Sequence, residues 1–376
     1  MITHTTSLLL MIQGVCLAAQ AQADGFPTLN RIASGFGYYG VDYGFDNKMK
    51  VYGTLDAFAS YHDSQHHSGF KLAGGGAWTN KLGLYARKAL NPDTVLELVV
   101  EEGFNLNGEA LDGTWDNIGT LRLAAVALRS RPLGKLEFGK TYGMSTPTYA
   151  DPFLATYGSP YTYLAIPAAG KGAYYLDLRP KHTLAYSSPN LNGFSLGTAV
   201  TFGFDDVASQ GRTVRGGGAK LQYRNSRVML LASYNLYYSD PWDDNGRSRQ
   251  TANHFKSLSA FYDFGPLATS LTWQRQDVDQ AGTPSTTLYT FGVMAPVGEL
   301  DVLRLAVMQR QVTTPDKDAF GVMLGYDHFF TPRWAAYARV GMIANQRASS
   351  VSYAGTPVDQ VGDDPINVSL GIYYHF

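Results

Sequence analysis

The sequence has one cysteine, few charged residues and no long apolar stretch after its first 23 residues. Cys16 lies in the apolar start of the chain, so the remainder has no disulfide framework. Charged residues make up only 16% of the chain, and the formal net charge is −1. No later stretch approaches the roughly 20 apolar residues of a membrane helix. Any membrane crossing therefore has to use a closed barrel, since only helices and closed barrels satisfy every backbone group in lipid.

The beginning of the chain has the pattern of a secretory signal peptide. An apolar run over residues 8–19 precedes Ala21-Gln22-Ala23, a small-x-small cleavage pattern. Residues 24–48 are rich in glycine and aromatic side chains, and four roles are open for them: a periplasmic arm, a lumen insert, a subunit contact or an extra hairpin. We therefore expect a signal peptide at 1–23, an N-terminal extension of unknown role at 24–48 and a single barrel domain at 49–376.

The end of the chain alternates in polarity at every second residue. Ile366, Val368, Leu370 and Ile372 share one parity, and polar or small residues occupy the other. A β-strand sends successive side chains to opposite faces, so this segment predicts a strand with one apolar and one polar face. Similar segments of about ten residues recur from Met49 onward, as in barrel strands. The candidates are 49–61, 78–90, 93–107, 119–131, 134–143, 179–188, 193–205, 213–224, 226–239, 252–264, 266–278, 285–297, 299–313, 318–330, 333–346 and 365–376.

The connections between these segments alternate between short and long. Short ones such as 91–93 and 331–333 contain the Pro, Gly and Asn residues of tight turns, whereas 62–77, 108–118 and 347–364 are longer and more polar. Tight turns at one rim and longer loops at the other are typical of outer-membrane barrels. The pattern predicts an all-β protein, a transmembrane antiparallel β-barrel of about 16 strands in the cell outer membrane.

Aromatic residues gather near the strand ends, several of them beside the short turns. Such a distribution suits an aromatic girdle at the membrane interface. The alternative is the ordinary preference of aromatic residues for strands. The residues are Tyr186, Phe194, Phe202, Phe204, Tyr234, Tyr238, Tyr262, Phe264, Phe330, Trp334, Tyr374 and Phe376.

The connection 142–178 is the longest, and it is unusually apolar. Ordered loops of this length are generally functional, and its apolar side chains would be covered if it folded into the lumen. We expect this third external loop to narrow the channel, with Asp151, Tyr149, Tyr157 and Tyr161 at the constriction. The alternative is a surface loop packed on a neighbouring subunit.

The polar faces of the strands carry more cations than anions. Arg122 is ambiguous, because Ala124, Val126 and Leu128 share its parity. A positive surplus on a narrow wall would create a mild anion preference; scattered rim charges are the alternative. The inward cations by parity are Lys50, Lys81, Arg87, Arg179, Lys181, Lys220, Arg224, Arg304, Arg310 and Arg339, against the acids Asp56, Glu97, Glu101, Asp263 and Asp327.

Several stretches resemble, in order and spacing, the trimeric general porins of Gram-negative outer membranes. The resemblance implies a sixteen-stranded homotrimer with its third loop folded into each pore, and a basic cluster that maps onto Lys81, Arg122 and Arg179. Tyr85 stands where the family often has a pore lysine. The matching stretches are KVYGTLDAF (50–58), TNKLGLY (79–85), EEGFNL (101–106), RLAAVAL (122–128), LGKLEFGKTY (133–142), RPKHTLAYSSP (179–189) and LGYDHFFTPRWAAY (324–337).

We expect a water-filled channel for passive diffusion of small hydrophilic solutes and ions, with a basic wall of Lys81, Arg122, Arg179, Lys181 and Arg339. The alternative is a substrate-selective channel with a tyrosine-rich constriction. No Gly-x-Ser-x-Gly elbow or metal-spaced His/Cys cluster points to an enzyme, a cofactor or a metal. The expected partners are outer-membrane lipid and lipopolysaccharide, two further copies of the chain, and the barrel-assembly machinery through a C-terminal signal, Tyr374 and Phe376. We expect no nucleic acid.

Overall fold

A computed structural model describes most of the chain after residue 43. The predicted signal peptide and residues 24–43 of the predicted extension lie outside the described part. The described residues are 44–104, 106, 121–144, 151–153, 156, 159–160, 164, 179–206, 212–225, 227–239, 251–279, 281–331, 333–353, 358 and 360–376.

The described residues form 17 strands in one antiparallel sheet. In the same residues, no helix is long and apolar enough to cross a membrane. The strands are β1 (Lys48–Asp63), β2 (Ser68–Gly74), β3 (Lys81–Asn91), β4 (Thr94–Gly103), β5 (Leu121–Ser130), β6 (Gly134–Lys140), β7 (Thr183–Ser187), β8 (Phe194–Asp206), β9 (Arg212–Arg224), β10 (Val228–Ser239), β11 (Thr251–Asp263), β12 (Ala268–Val278), β13 (Thr286–Val297), β14 (Asp301–Val312), β15 (Ala319–Thr331), β16 (Trp334–Asn345) and β17 (Ile366–His375).

The first and last strands pair with each other and close the sheet into a barrel. Their register runs from Thr54 opposite His375 to Asp63 opposite Ile366. Below it, Gly53 and Phe376 exchange two backbone hydrogen bonds of 3.1 and 3.2 Å. Closure removes the unpaired edges that lipid could not satisfy. The predicted transmembrane antiparallel barrel is confirmed.

Seventeen strands occupy sixteen positions in the wall, because β2 and β3 lie end to end beside β1. β2 pairs with the second half of β1, from Ala57 to Asp63, and β3 pairs with the first half, from Lys48 to Thr54. The predicted loop 62–77 was wrong, since it contains β2, and only residues 64–67 and 75–77 of this range lie outside the strands. β2 escaped detection because it is seven residues long and is followed by a run of glycines.

The two faces of the wall differ as the alternation predicts. Leu96, Leu98 and Val100 face outward and are exposed, whereas Glu97 and Glu101 face inward and are buried among lumen side chains. Aromatic rings pair on the outer face beside the short turns, as in Trp334–Tyr374 (4.7 Å between centroids), Tyr262–Phe264 (4.5 Å) and Phe194–Tyr223 (4.8 Å). These pairs lie where a membrane-interface girdle is expected.

The third loop, which connects β6 to β7, folds into the lumen. Its Phe153 and Leu164 are buried in one cluster with inward side chains of the wall, among them Met308, Met323 and Ile343. Gly321 and Gly292 face inward at this place, where a Cβ atom would collide with Leu164 and Pro152 respectively. Glycine at these positions therefore gives the loop room to approach the wall, and the predicted inward fold of the loop is confirmed.

Candidate channel constriction

Two cationic side chains, Lys81 and Arg122, contact the carboxylate of Glu101 inside the barrel. Lys81 begins β3, Glu101 lies near the end of β4 on the neighbouring strand, and Arg122 lies near the start of β5. The Glu101 carboxylate accepts a hydrogen bond from Arg122 Nε at 2.8 Å, and Lys81 Nζ lies 3.5 Å from it. Tyr52 of β1 donates its hydroxyl to the same carboxylate at 3.0 Å. Lys81, Arg122 and Glu101 are all buried, at 2%, 3% and 0% exposure.

Arg122 reaches this cluster because of a β-bulge. The register between β4 and β5 places Glu101 opposite Leu123 and Glu102 opposite Leu121, so Arg122 is an extra residue. A bulge shifts the alternation by one residue and re-aims the side chains before it. This explains why Arg122 points inward although Ala124 and Val126, of the same parity, do not.

Arg179 joins the wall to the beginning of the third loop. Its Nη2 donates to the Tyr142 hydroxyl at 3.3 Å, and its guanidinium lies over the Tyr142 ring at 4.6 Å. Such a stacked arginine keeps its charge while its orientation is fixed by the ring. Arg179 also acts electrostatically on Lys81 and Glu101. The structure therefore joins Lys81 and Arg122 through Glu101 and places Arg179 on Tyr142, near enough to act on Lys81 and Glu101.

Arg339 lies in a second cluster, beneath the third loop. Asp327 accepts hydrogen bonds from both Arg339 Nη2 and Arg304 Nε. Arg304 Nη1 also donates to the carbonyl of Pro152 in the loop at 2.8 Å, and Arg339 lies 5.2 Å from the Phe153 ring. These bonds hold the loop against the wall. Lys181 is exposed in the segment that leads into β7, and no described contact links it to either cluster.

The Asp151 carboxylate is buried inside the third loop. It accepts hydrogen bonds from the Phe153 backbone at 3.0 Å and from the Ser159 hydroxyl at 2.5 Å. Thr156 adds a bond to the Phe153 carbonyl at 2.8 Å. Asp151 therefore braces the loop. The other predicted loop residues, Tyr149, Tyr157 and Tyr161, lie outside the described residues.

A cavity of about 250 Å³ lies next to the basic cluster. Three tyrosines line it, Tyr52, Tyr85 and Tyr142, over a floor that includes Ala125 and Ala127. The small inward residues leave the hollow that larger side chains would fill. The sequence did not predict this cavity, although the tyrosine at position 85 in place of a pore lysine was a signal of it.

Residues 44–47 lie against inward side chains at the rim of short turns. Arg87 donates to the carbonyl and carboxylate of Asp46, and Arg129 donates to the carbonyl of Gly44 at 2.7 Å. The Phe45 ring lies 4.4 Å from the Arg129 guanidinium and 4.0 Å from that of Arg131. These contacts attach the described end of the extension, residues 44–47, to side chains of β3, β5 and the turn after β5.

Tyr374 and Phe376, the predicted assembly signal, lie at the barrel seam. Phe376 forms the two backbone bonds with Gly53, and its ring covers the space where a Gly53 side chain would be. Tyr374 packs between Trp334 and Phe376.

In the described part of the chain, no group of three or more His, Cys, Asp or Glu residues is placed to hold a metal ion.

Solved structures that resemble this chain include porins and other outer-membrane proteins. An anion-selective porin from Comamonas acidovorans is 25% identical, with a TM-score of 0.73 over 88% of this chain and 100% of that chain. The trimer form of OmpT, an outer membrane protein of Vibrio cholerae, is 15% identical, with a TM-score of 0.63 over 88% and 100%. Salmonella typhi OmpF in complex with daunomycin is 16% identical, with a TM-score of 0.64 over 88% and 98%.

A search of curated protein sequences found no match. The model of the family described as Gram-negative porin matches residues 5–348, which is most of the chain. The closed sixteen-position wall, the third loop inside it and the charged lumen agree with that match. The chain belongs to the Gram-negative porin family, and it is an outer-membrane channel protein.

Proposed function

We propose that this porin conducts small hydrophilic solutes and ions passively, with a mild preference for anions set by Lys81, Arg122 and Arg179. The supporting observation is that Lys81 and Arg122 both contact a single carboxylate, Glu101, and that Arg179 is near enough to act on it electrostatically, so the cluster keeps a positive excess. A fixed charge in a narrow, low-dielectric passage acts strongly on a passing ion. The anion selectivity named for the Comamonas porin agrees with this proposal. The proposed function includes no catalysis.

The proposal is tested by reversal potentials of single channels in a KCl gradient. Removing the cations alone would leave Glu101 as a buried unpaired charge. The informative variant therefore replaces all four residues, Lys81, Arg122, Arg179 and Glu101, by glutamine. We expect its preference for chloride over potassium to fall by about two- to fivefold, because the fixed positive excess is gone. Glu101→Gln alone should raise the preference for chloride over potassium, because it removes the negative charge of the cluster.

Arg347→Gln is the matched control, since Arg347 is an exposed loop cation whose ion pair among the described residues is with Asp316. Its reversal potential should equal that of the parent. A parent protein that gives no current in a planar bilayer would contradict channel function itself. An unchanged reversal potential in the four-residue variant would contradict the placing of selectivity in this cluster.

We further propose that three copies of the chain associate through the outer faces of the first strands. Ala57 and Ala59 face outward on β1, next to the exposed Phe70 and Leu72 of β2. Burial of such an apolar patch in a symmetric contact is favourable, and a trimer form is known for the Vibrio protein. Ala125 and Ala127 face inward and so take no part. Native mass spectrometry in detergent should give three times the chain mass.

The remaining outer surface is proposed to contact outer-membrane lipid and lipopolysaccharide. The C-terminal strand, with Tyr374 and Phe376, is proposed to be the signal to the barrel-assembly machinery. Support comes from the exposed apolar outer face and from the position of Phe376 at the seam.

A second candidate function is a channel selective for anionic or aromatic solutes. The cavity beside the basic cluster favours it, since the rings of Tyr52, Tyr85 and Tyr142 line it. Two cations, Lys135 and Lys220, and two acids, Glu97 and Glu137, also line it. Benzoate, which is both aromatic and anionic, is a suitable probe. Saturable block of the chloride current by benzoate, weakened in Tyr85→Leu, would support this reading. Current that is unaffected by benzoate would exclude it.

A further inference from the structure

The wall of the barrel is interrupted between β2 and β3 by six residues, 75–80, here called the lumen knuckle. On β1, Ala57 pairs with Gly74 and Thr54 pairs with Lys81, so only two β1 residues face these six. The surplus length has to leave the plane of the sheet. It turns inward: Ala77 and Trp78 are buried against inward rings of the wall, including Tyr337 and Tyr373.

Asp56 holds the lumen knuckle with every polar group it has. Its carboxylate accepts backbone hydrogen bonds from Gly76 (3.1 Å), Ala77 (2.8 Å) and Trp78 (2.7 Å). The Tyr337 hydroxyl donates to the same carboxylate at 2.8 Å. Three backbone donors and one hydroxyl form the kind of charge-assisted site that fixes a turn firmly. Asp56 is completely buried, in contrast to a lumen carboxylate that faces water.

Asn80 completes the attachment from the other end of the lumen knuckle. Its side chain bonds both backbone groups of Asp56, accepting from the N–H at 2.5 Å and donating to the carbonyl at 3.0 Å. The Gly75 N–H also donates to the Asp56 carbonyl at 3.3 Å. The two backbone groups of Asp56 therefore bond the knuckle, where an unbroken ladder would have bonded them to the next strand.

The lumen knuckle lies directly beside the third loop. Ala77 and Trp78 face Pro152 and Phe153 across a gap of about 10 Å³, space for roughly one water molecule. Arg304 and Arg339 border the same gap. The lumen knuckle and the third loop therefore pack together on the side of the lumen formed by β1 and β14–β17. The cavity of about 250 Å³ is lined mainly by residues of β3–β7, together with Tyr52 of β1 and Lys220 of β9.

We propose that Asp56 is a positioning residue for conduction, because it holds the lumen knuckle as a second constriction element that supports the third loop. Together these elements confine the passage to the side of the barrel that carries Lys81, Arg122 and Arg179. Solute size limit and ion preference then both depend on a carboxylate that touches no solute. This inference rests on the proposed channel function.

The test compares three variants by single-channel conductance and by liposome swelling with sugars of increasing size. Asp56→Asn replaces the carboxylate, and Tyr337→Phe removes one of its four bonds and keeps the ring. In the third variant, two residues replace 75–80, so that β2 and β3 become one continuous strand without strain. We expect conductance to rise at least about 1.5-fold in the two-residue variant, less in Asp56→Asn and least in Tyr337→Phe. Larger sugars should enter, and anion preference should weaken in the same order.

Asp263→Asn is the matched control. Asp263 is another buried inward carboxylate, but it bonds the turn at Gly265 and not the lumen knuckle. Its conductance should equal that of the parent. If the parent conducts and the folded two-residue variant has the same conductance and sugar limit, the inference is overturned while the proposed function stands. A parent without current would instead overturn the proposed function. If Asp56→Asn does not fold, the conductance and sugar limit of the two-residue variant and of Tyr337→Phe still test whether the lumen knuckle narrows the channel.

Discussion

At the scale of single residues, burial decides how much a pair of opposite charges contributes to stability. Asp327 is 1% exposed and bonds two arginines, whereas the Arg347–Asp316 pair stands in water. An exposed pair contributes about 0–1 kcal/mol, because solvent screens it. Removing one partner of a buried pair costs about 3–5 kcal/mol, because the other charge is left without compensation.

Asp327→Asn should therefore destabilise the protein far more than Asp316→Asn. The readout is the temperature at which each detergent-solubilised variant loses its compact, heat-modifiable electrophoretic form. Asp316→Asn should unfold at the parent temperature, and Asp327→Asn should unfold well below it. Equal unfolding temperatures for the two variants would show that the Arg304–Asp327–Arg339 cluster does not hold the fold.

At the scale of elements, the third loop is seated by side chains that the strand pattern does not distinguish. Leu164 is fully buried against inward apolar residues of the wall. Leu164→Ala should weaken the seating of the loop by about 2–5 kcal/mol, because the cavity left behind cannot collapse fully. Limited proteolysis should then cut the loop faster, and single-channel current should become noisier. Leu324→Ala, on the lipid-facing side of β15, is the control. If the Leu164→Ala loop is cut no faster than the loop of this control, Leu164 does not have this role.

Period-two alternation predicted the strands well, because lipid and lumen impose opposite demands on neighbouring residues. It failed where the backbone departs from a regular ladder. Arg122 was ambiguous because a bulge shifts the alternation beside it, and β2 was missed because it is only seven residues long and a run of glycines follows it. The role of Asp56 was not predictable for the same reason, since its bonds go to backbone groups of residues some twenty positions away.

At the scale of the whole molecule, the seam between β1 and β17 completes the barrel. Removing Phe376 deletes both backbone bonds to Gly53 and uncovers that residue. We expect the shortened chain to refold more slowly in detergent and to reach the outer membrane in smaller amounts, because the last pair of hydrogen bonds between the first and last strands is missing. Folded fraction by heat modifiability and the outer-membrane fraction of cells are the measurements.

Phe330→Ala is the matched control for the seam, since Phe330 is an exposed outer-face aromatic beside another short turn. It should refold and localise as the parent does. A shortened chain that equals the parent in both measurements would show that Phe376 contributes nothing to closure or to delivery.

The antiparallel pairing of β1 with β17 also brings the two ends of the described chain to the same rim. Lys48 and Phe376 both lie below the Thr54–His375 pair, at the rim of short turns. A linker joining them, with a new opening between β14 and β15, would leave all sixteen wall positions in place. The termini of such a circular permutant would emerge on the opposite side of the membrane, where they would display a fused peptide at the cell surface.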